Sequence, residues 1–333
     1  MENTECRICH NTAGNQSHEV KEMLFGFRDK FDYFQCASCG CLQISKIPPN
    51  MSKYYRSDYY SYTFKINELK KSKNTVLQFL KGARNDYAIF NRGLLGKFLY
   101  ALSPVDWVKE RLSKHFPGMP TEILFTKKSG ILDVGCGNGK LLYFFKELGF
   151  EDVLGIDPYG KDILYPNGLK VKKTFLHNID RHFDLIMFHH SFEHIVDPVK
   201  TLQHVSRLLA KNGKCVIRIP TVDSHAWRHY KHNWVSLDAP RHFHVFSKKS
   251  IHLLAHMAGL ELIKIVYDSD EFQFFGSEQY KRDIPLTAEQ SYVVNKDKSI
   301  FSEKEILMFR KEALRLNAEN QGDCAAFYLQ KQD

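Results

Sequence analysis

The chain lacks several features that would restrict its environment or its class. No apolar run approaches the roughly 18 residues that a membrane-spanning helix needs. No internal repeat or low-complexity tract occurs within the 333 residues, a length expected to form about two domains. No apolar leader precedes the first cysteines, which favours a reducing, cytoplasmic setting over an oxidising one.

The formal net charge of +9 is moderate and leaves two interpretations open. A lysine-rich surface supports solubility without any specific partner. The same charge would also attract an anionic substrate, such as a nucleotide diphosphate sugar, a phospholipid or a nucleic acid.

The segment 131–139, ILDVGCGNG, is the most informative part of the sequence. It predicts a buried strand, then three closely spaced glycines, then a helix over 140–148. A second apolar run begins at Val153 and ends at Asp157, about 20 residues past the glycines, where an acid can bind both hydroxyls of a ribose. This order of elements predicts a site for a nucleoside-containing cofactor.

The third glycine of the dinucleotide-binding fingerprint is missing, because Lys140 occupies its position. This disfavours a dehydrogenase. The spacing resembles motif I of the class I S-adenosylmethionine (SAM) dependent methyltransferases, with Asp157 as the ribose-binding acid. The resemblance implies SAM as cofactor and assigns its binding to Asp133, Gly135, Cys136, Gly137, Asn138, Gly139, Asp157, Pro158, Asn178 and His189.

The resemblance extends over residues 129–268, where predicted strands at 181–188 and 214–220 flank an amphipathic helix at 199–210. It implies an α/β fold with a seven-stranded, Rossmann-like methyltransferase core over 129–333. Strands six and seven are expected at 260–268 and 322–330. The insertion between them, at about 269–321, is expected to wall the substrate site, form a homodimer contact, or both.

Two cysteine pairs, Cys6-x-x-Cys9 and Cys36-x-x-Cys39, predict a zinc-ribbon-like module over residues 1–62. Four protein ligands leave no open position, so the Zn²⁺ is interpreted as structural. Cys41 and His10 lie close enough in sequence to replace a ligand. Disulfides, buried thiols and a metal other than zinc remain alternatives.

Between module and core, residues 63–128 are predicted to form a helical cover and linker. Thr75–Leu102 carries an apolar face with interspersed basic residues, which suits either a cover over the cofactor cleft or a membrane surface. Gly93 and Gly96 are expected to divide it into two helices.

The segment 232–247 is similar to one in methyltransferases of surface sugars, and sugar C-methyltransferases also carry an N-terminal zinc module. This resemblance places catalytic groups at the loop after 181–188, for which we select His194 with Glu193, and then His190. Substrate-binding candidates are Tyr59, Tyr60, Arg241, His242 and His244. A second metal at His242 and His244 is disfavoured, because no further ligands occur at suitable spacing.

The sequence thus predicts a SAM-dependent methyltransferase that acts on a small-molecule acceptor, such as a sugar or a nucleotide-linked sugar. A nucleic-acid or lipid methyltransferase is the alternative among enzymes, since zinc ribbons and a basic surface also suit polynucleotides. A SAM-fold interaction partner without catalysis is the alternative among other proteins. Whether oxygen, carbon or nitrogen receives the methyl group stays open.

Overall fold

The computed structural model describes residues 5–55, 75–118 and 126–332. The small sheet contains, in spatial order, β1 (Gln16–Lys21), β2 (Lys30–Gln35), β3 (Leu42–Ile44) and β10 (His244–Val245). The large sheet contains β11 (Leu260–Tyr267), β12 (Cys324–Lys331), β9 (Leu209–Pro220), β8 (Phe183–His189), β4 (Ile131–Val134), β5 (Val153–Ile156), β7 (Lys170–Lys172) and β6 (Ile163–Leu164). The α-helices are α1 (Thr75–Phe90), α2 (Leu94–Leu102), α3 (Asp106–His115), α4 (Lys140–Glu147), α5 (Pro198–Leu208), α6 (His225–Tyr230), α7 (Lys248–Met257), α8 (Phe272–Lys281) and α9 (Glu303–Ala318).

The large sheet is mixed, and its parallel part sets the position of the site. Strands β9, β8, β4, β5 and β7 run parallel to their neighbours in this part of the sheet, so their carboxyl ends lie at one edge. Open α/β sheets bind ligands at this edge. Strand β12 lies antiparallel between β9 and β11.

The α/β fold class is confirmed, but the sheet has eight strands among the described residues rather than seven. The additional strand is β6, which pairs with β7 through Ile163 and Leu164. A strand of two residues is too short to show the alternation of apolar and polar residues by which strands are recognised.

Local signals in the sequence explain where several helices begin and end. The Asp197 side chain accepts a hydrogen bond from the backbone of Lys200 at the start of α5, and Ser247 forms a capping box at the start of α7. Gly93 separates α1 from α2, whereas Gly96 lies inside α2. The break was therefore predicted correctly at one of the two glycines.

The insertion between β11 and β12 is structured, as expected. It contains α8 and α9, and it leaves the antiparallel pairing of β11 with β12 intact. Phe274 of α8 stacks on Phe309 of α9 with ring centroids 5.4 Å apart. Ala313 and Leu316 of α9 share an apolar cluster with Trp234.

The N-terminal sheet is completed by residues from the core. Strand β10 pairs antiparallel with β3, so that His244 lies opposite Gln43 and Val245 opposite Leu42. Cys6, Ile8, Phe34 and the buried cysteines Cys36, Cys39 and Cys41 belong to the same apolar cluster as residues of β8, β9 and α7. Residues 5–55 therefore pack on the core through a continuous apolar interior.

A buried ion-pair network also joins these two parts. The fully buried Arg241 donates to Glu22 at 3.0 Å and to Asp238 at 2.6 Å. A third hydrogen bond, 3.2 Å long, runs from its guanidinium to the backbone oxygen of Tyr54. Glu22 is also fully buried and accepts from the backbone N–H groups of Phe25 and Phe27.

We expect Glu22→Gln to lower the free energy of unfolding by about 3 kcal/mol, because it leaves the buried Arg241 with one carboxylate instead of two. The matched control is Asp283→Asn, which breaks an ion pair with Arg28 whose side chains are 61 % and 44 % exposed, respectively. Solvent screening limits that loss to less than about 1 kcal/mol. Urea unfolding of both variants measures the difference, and equal losses would contradict the role given to the Arg241 network.

Candidate active site and metal centre

The loop after β4 has the conformation that its glycines predict. Gly135, Gly137 and Gly139 have φ values of 74°, 54° and 72°, a region that residues with a Cβ rarely adopt. A Cβ on Gly135 would lie 2.5 Å from Cβ of Ser191. The loop therefore turns sharply and lies directly beside the segment that follows β8.

Asp157 follows β5 and contacts this glycine loop. Its Oδ2 accepts from the backbone N–H of Gly137 at 3.0 Å. Its Oδ1 accepts from Tyr159 at 2.9 Å and from Gly160 at 3.0 Å. The predicted ribose-binding acid and the predicted glycine turn are thus brought together, and the half-buried Pro158 lies beside them.

Asp133, near the end of β4, is buried close to Asp157. Burial, together with the charge of Asp157, raises the pKa of Asp133 to about 7. A buried carboxylate pair favours a ligand that carries positive charge at this position.

Four further predicted cofactor residues have different surroundings. The Cys136 thiol lies against Gly155, where an added Cβ would approach its sulfur to 2.6 Å. The backbone oxygen of Asn138 accepts from Tyr165 at 2.5 Å. His189 has two buried ring nitrogens without a hydrogen-bond partner among the described residues. Asn178 is exposed.

The segment after β8 places Glu193 and His194 in a 3-10 turn, Phe192–His194. The ring of His242 lies 4.9 Å from that of His194, centroid to centroid. Nε2 of His242 lies 3.7 Å from Oε1 of the fully buried Glu193. Sequence spacing did not reveal this group, because His242 is distant in the chain and reaches it through the loop before β10.

The hydrogen bonds of the two histidines indicate their tautomers. Nδ1 of His194 lies 2.7 Å from the backbone oxygen of Arg241, and Nδ1 of His242 lies 2.9 Å from that of Ser236. Since a carbonyl oxygen only accepts, each Nδ1 carries a proton, and in the neutral form of each ring the lone pair lies on Nε2. Burial lowers the pKa of His242 to about 4, so this ring is neutral at pH 7.

Although burial opposes ionisation of Glu193, the contact with His190 and the neighbouring histidines outweigh it and hold the pKa of Glu193 at about 2. His190 has a φ of 51°, and its Nδ1 lies 3.7 Å from Oε1 of Glu193. Its Nε2 contacts the guanidinium of Arg218. Because a guanidinium only donates, that nitrogen of His190 is already used as an acceptor.

The predicted substrate residues are not all in one place. Arg241 is enclosed by Glu22 and Asp238 and is therefore a structural cation rather than one that faces a ligand. His244 lies in β10, away from Glu193, and its ring stacks on Phe246. Tyr59 and Tyr60 lie outside the described residues, but the preceding Tyr55 places its hydroxyl 3.3 Å from Nδ1 of His194.

The four predicted zinc ligands form one cluster. The sulfur atoms of Cys6, Cys9, Cys36 and Cys39 all lie within 4.8 Å of one another. The Cys6–Cys39 and Cys9–Cys36 separations are both 3.5 Å. Tetrahedral Zn–S bonds of ~2.3 Å require sulfur atoms ~3.8 Å apart, whereas a disulfide requires ~2 Å.

The alternative ligands do not join this cluster. The Cys41 thiol contacts the backbone oxygen of Leu42, and His10 is exposed and contacts Glu5. Backbone and side-chain N–H groups also point at the cluster, since Ile8 and Gln43 donate to the sulfur of Cys6. Such N–H groups stabilise thiolates, and four cysteine ligands fit a structural zinc ion.

The central part of the chain is similar to a known protein family. A family described as "Methyltransferase domain" matches residues 106–265, from α3 to the end of β11. Residues 106–265 are called the methyltransferase domain after this match. The predicted enzyme class, a SAM-dependent methyltransferase, is confirmed at the level of this domain.

A curated viral protein is similar to part of the chain. It is named as a candidate methyltransferase, 235L, of Invertebrate iridescent virus 6, and it is 30 % identical over 95 residues. The match covers 26 % of this chain and 36 % of the viral protein, so the chain spans about a third of that relative.

Solved methyltransferases give weaker structural matches to the chain. A protein from Thermotoga maritima, described as a possible histamine N-methyltransferase, aligns with a TM-score of 0.41 at 18 % identity, over 70 % of this chain and 98 % of its own. A SAM-dependent methyltransferase from Archaeoglobus fulgidus aligns with a TM-score of 0.39 at 19 % identity, over 72 % and 100 %.

We expect the protein to contain one zinc ion per chain at the cysteine cluster, measured by elemental analysis. Cys39→Ser should lose this zinc and unfold at a lower temperature, because the cluster lies in the apolar interior shared with the methyltransferase domain. Cys41→Ser is the control and should keep the zinc. Loss of zinc from Cys41→Ser alone would contradict the assigned ligand set.

The raised pKa of Asp133 predicts proton release when a cationic ligand binds beside it. At pH 7 the group is about half protonated, so binding to its ionised form should release roughly half a proton. Affinity for SAM should therefore rise as the pH is raised from 6 to 8. Calorimetry in buffers of different ionisation enthalpy measures the release, which Asp133→Asn should abolish; equal heats in all buffers for the unsubstituted protein would refute the prediction.

Proposed function

We propose that the chain transfers a methyl group from SAM to a small-molecule acceptor, with a sugar or nucleotide-linked sugar as the acceptor class. The observation that carries the proposal is the adjacency of two groups at one sheet edge. The Ser191 hydroxyl, between β8 and Glu193, donates to the backbone oxygen of Val134 at 2.6 Å. This bond ties the Glu193 segment to the start of the glycine loop.

The cofactor side consists of the glycine loop, Asp157 and Asp133. The positive φ angles bring the backbone of the loop close to a ligand, and Asp157 offers carboxylate oxygens to the ribose hydroxyls. Asp133 would favour the cationic part of the ligand. SAM, when bound, supplies a methyl group on a sulfonium, which is already activated for transfer.

The acceptor side consists of Glu193, His194 and His242. Their task in the proposed reaction is to promote loss of the acceptor's proton, since a hydroxyl or carbon acceptor becomes nucleophilic only without it. The Nε2 atom of His194, which carries the lone pair in the neutral ring, and the ionised Glu193 are suited to this task. Holding donor and acceptor at one edge supplies the alignment on which methyl transfer depends.

The choice of a sugar acceptor rests on two supports. The sequence resembles zinc-containing sugar C-methyltransferases in its N-terminal cysteines and in the segment 232–247, which here supplies His242. The net charge of +9 favours an anionic ligand such as a nucleotide sugar. Nucleic acid and lipid acceptors would share the charge but do not account for the resemblance.

The first experiment measures binding of S-adenosylhomocysteine (SAH) by calorimetry. We expect micromolar affinity for the protein and a loss of about 10- to 100-fold in Asp157→Asn, since hydrogen bonds to a charged group contribute about 1.5–3 kcal/mol. The asparagine of this variant keeps one side-chain oxygen that can accept hydrogen bonds from the backbone around it. Asp162→Asn, which changes an exposed carboxylate nearby, is the control and should bind normally. No binding by folded protein would refute the proposed function.

The second experiment is an acceptor screen with labelled SAM, in which nucleotide sugars are compared with free sugars, RNA and lipid vesicles. His194→Ala should lower kcat by about 10²- to 10⁴-fold, the usual contribution of a positioned acid or base. Its affinity for SAH should stay unchanged. Methylation of RNA or lipid alone would replace the sugar proposal with the corresponding acceptor.

A further inference from the structure

Glu193, His194 and His242 have the geometry of a metal site. One ligand atom from each lies within 4.8 Å of the other two, and the Nε2–Oε1 distance between His242 and Glu193 is 3.7 Å. Two neighbouring ligand atoms around a transition-metal ion with bonds of ~2.1 Å lie ~3.0–3.4 Å apart, so small side-chain movements would close the site.

The two histidines are oriented as metal ligands usually are. Each donates its Nδ1–H to a backbone oxygen, that of Arg241 or that of Ser236. This arrangement fixes each ring and leaves its Nε2 to coordinate a metal ion. Most histidines that bind metals donate their other ring N–H in this way. The fixing groups belong to the backbone, so their hydrogen bonds are independent of side-chain ionisation.

Glu193 provides the second, independent observation. Its side chain is fully buried, and neither carboxylate oxygen has a hydrogen-bond partner among the described residues. Nδ1 of His190 lies 3.7 Å from Oε1, which is beyond hydrogen-bond distance. A buried carboxylate without such partners is costly unless a cation or strong donors compensate it. A bound divalent ion would supply that compensation directly.

The charged groups around the cluster permit a cation. Arg241 is neutralised by Glu22 and Asp238, and Arg218 pairs with Asp268 at 2.5 Å. Asp238 also adds negative charge on the cluster side, with its Oδ2 3.8 Å from Nε2 of His242.

We propose that Glu193, His194 and His242 bind a divalent transition-metal ion. Imidazole and carboxylate donors together suit manganese, iron, cobalt, nickel and zinc ions rather than calcium or magnesium. Three protein ligands leave coordination positions open for a further ligand. This inference rests on the proposed function, in which that further ligand is the acceptor's oxygen or nitrogen. The lone pair of His194 is then used for coordination, so the proton of the acidified acceptor passes to solvent water instead. The methyl group moves from the sulfonium of SAM to the deprotonated atom, and SAH is left.

The test is a titration of the full chain with Co²⁺ after the cysteine site has been loaded with zinc. We expect one Co²⁺ per chain, with visible absorption typical of nitrogen and oxygen ligands and without thiolate-to-cobalt charge transfer. Glu193→Gln and His242→Ala should weaken Co²⁺ binding by more than about 100-fold, because loss of an outer-shell partner alone costs about 10- to 100-fold.

His244→Ala is the matched control, since His244 is a buried histidine of the same segment that lies outside the cluster. It should bind Co²⁺ like the unsubstituted protein. SAH affinity checks that every variant is folded. Absence of a second ion, or equal binding by all variants, would overturn the metal proposal.

Activity separates this inference from the proposed function. If protein with zinc only at the cysteines methylates its acceptor at full rate, the metal role is wrong and the proposed function stands. If SAH does not bind at all, the proposed function fails whatever the cobalt result. A rate that rises at least tenfold with occupancy of the second ion supports both.

Discussion

The buried guanidinium of Arg241 is the interaction on which the arrangement of the site depends. Its side chain binds Glu22 from the N-terminal region and Asp238 from the segment before β10. Its backbone oxygen accepts the Nδ1 proton of His194. One residue thus joins the cysteine-containing region to the methyltransferase domain and also fixes the orientation of a proposed active-site histidine. Because the guanidinium is fully buried, both carboxylates must stay in place to compensate it.

The region that contains the cysteine cluster is also connected to the proposed site. It shares a sheet with the core through β3 and β10, and β10 begins two residues after His242. The backbone N–H of Phe243 also donates to the backbone oxygen of Glu193 at 2.9 Å. The region around the cysteines therefore pairs with the segment on which His242 approaches Glu193, although no sulfur atom belongs to the group around that carboxylate.

The two halves of the proposed site follow different physical rules. On the proposed cofactor side, backbone conformation dominates, because positive φ angles and the contact between Gly137 and Asp157 define the turn. On the proposed acceptor side, buried polar side chains dominate, and the ionisation of Glu193 depends on its histidine neighbours. Glu193 is kept ionised among histidines, whereas His242 is kept neutral by burial.

The sequence was sufficient for features that depend on neighbouring residues. The glycine turn, the acid at Asp157, the cysteine pairs and the helix caps at Asp197 and Ser247 each arise within a short stretch of chain, whose conformation is largely fixed by local sterics and hydrogen bonding. The two-residue strand β6 was missed because its pairing is determined by β7 and not by its own pattern.

The sequence also selected Glu193, His194 and His242, but it assigned the first two to catalysis and His242 to substrate binding. It treated Arg241 as a substrate ligand and grouped His242 with His244. Only the tertiary structure placed Glu22 against Arg241 and His242 against Glu193, and it separated His244 into β10. Local sequence determined the turns, caps and candidate donors, whereas burial and long-range packing decided which donors meet, because charges remote in the chain are compensated only after the chain has folded.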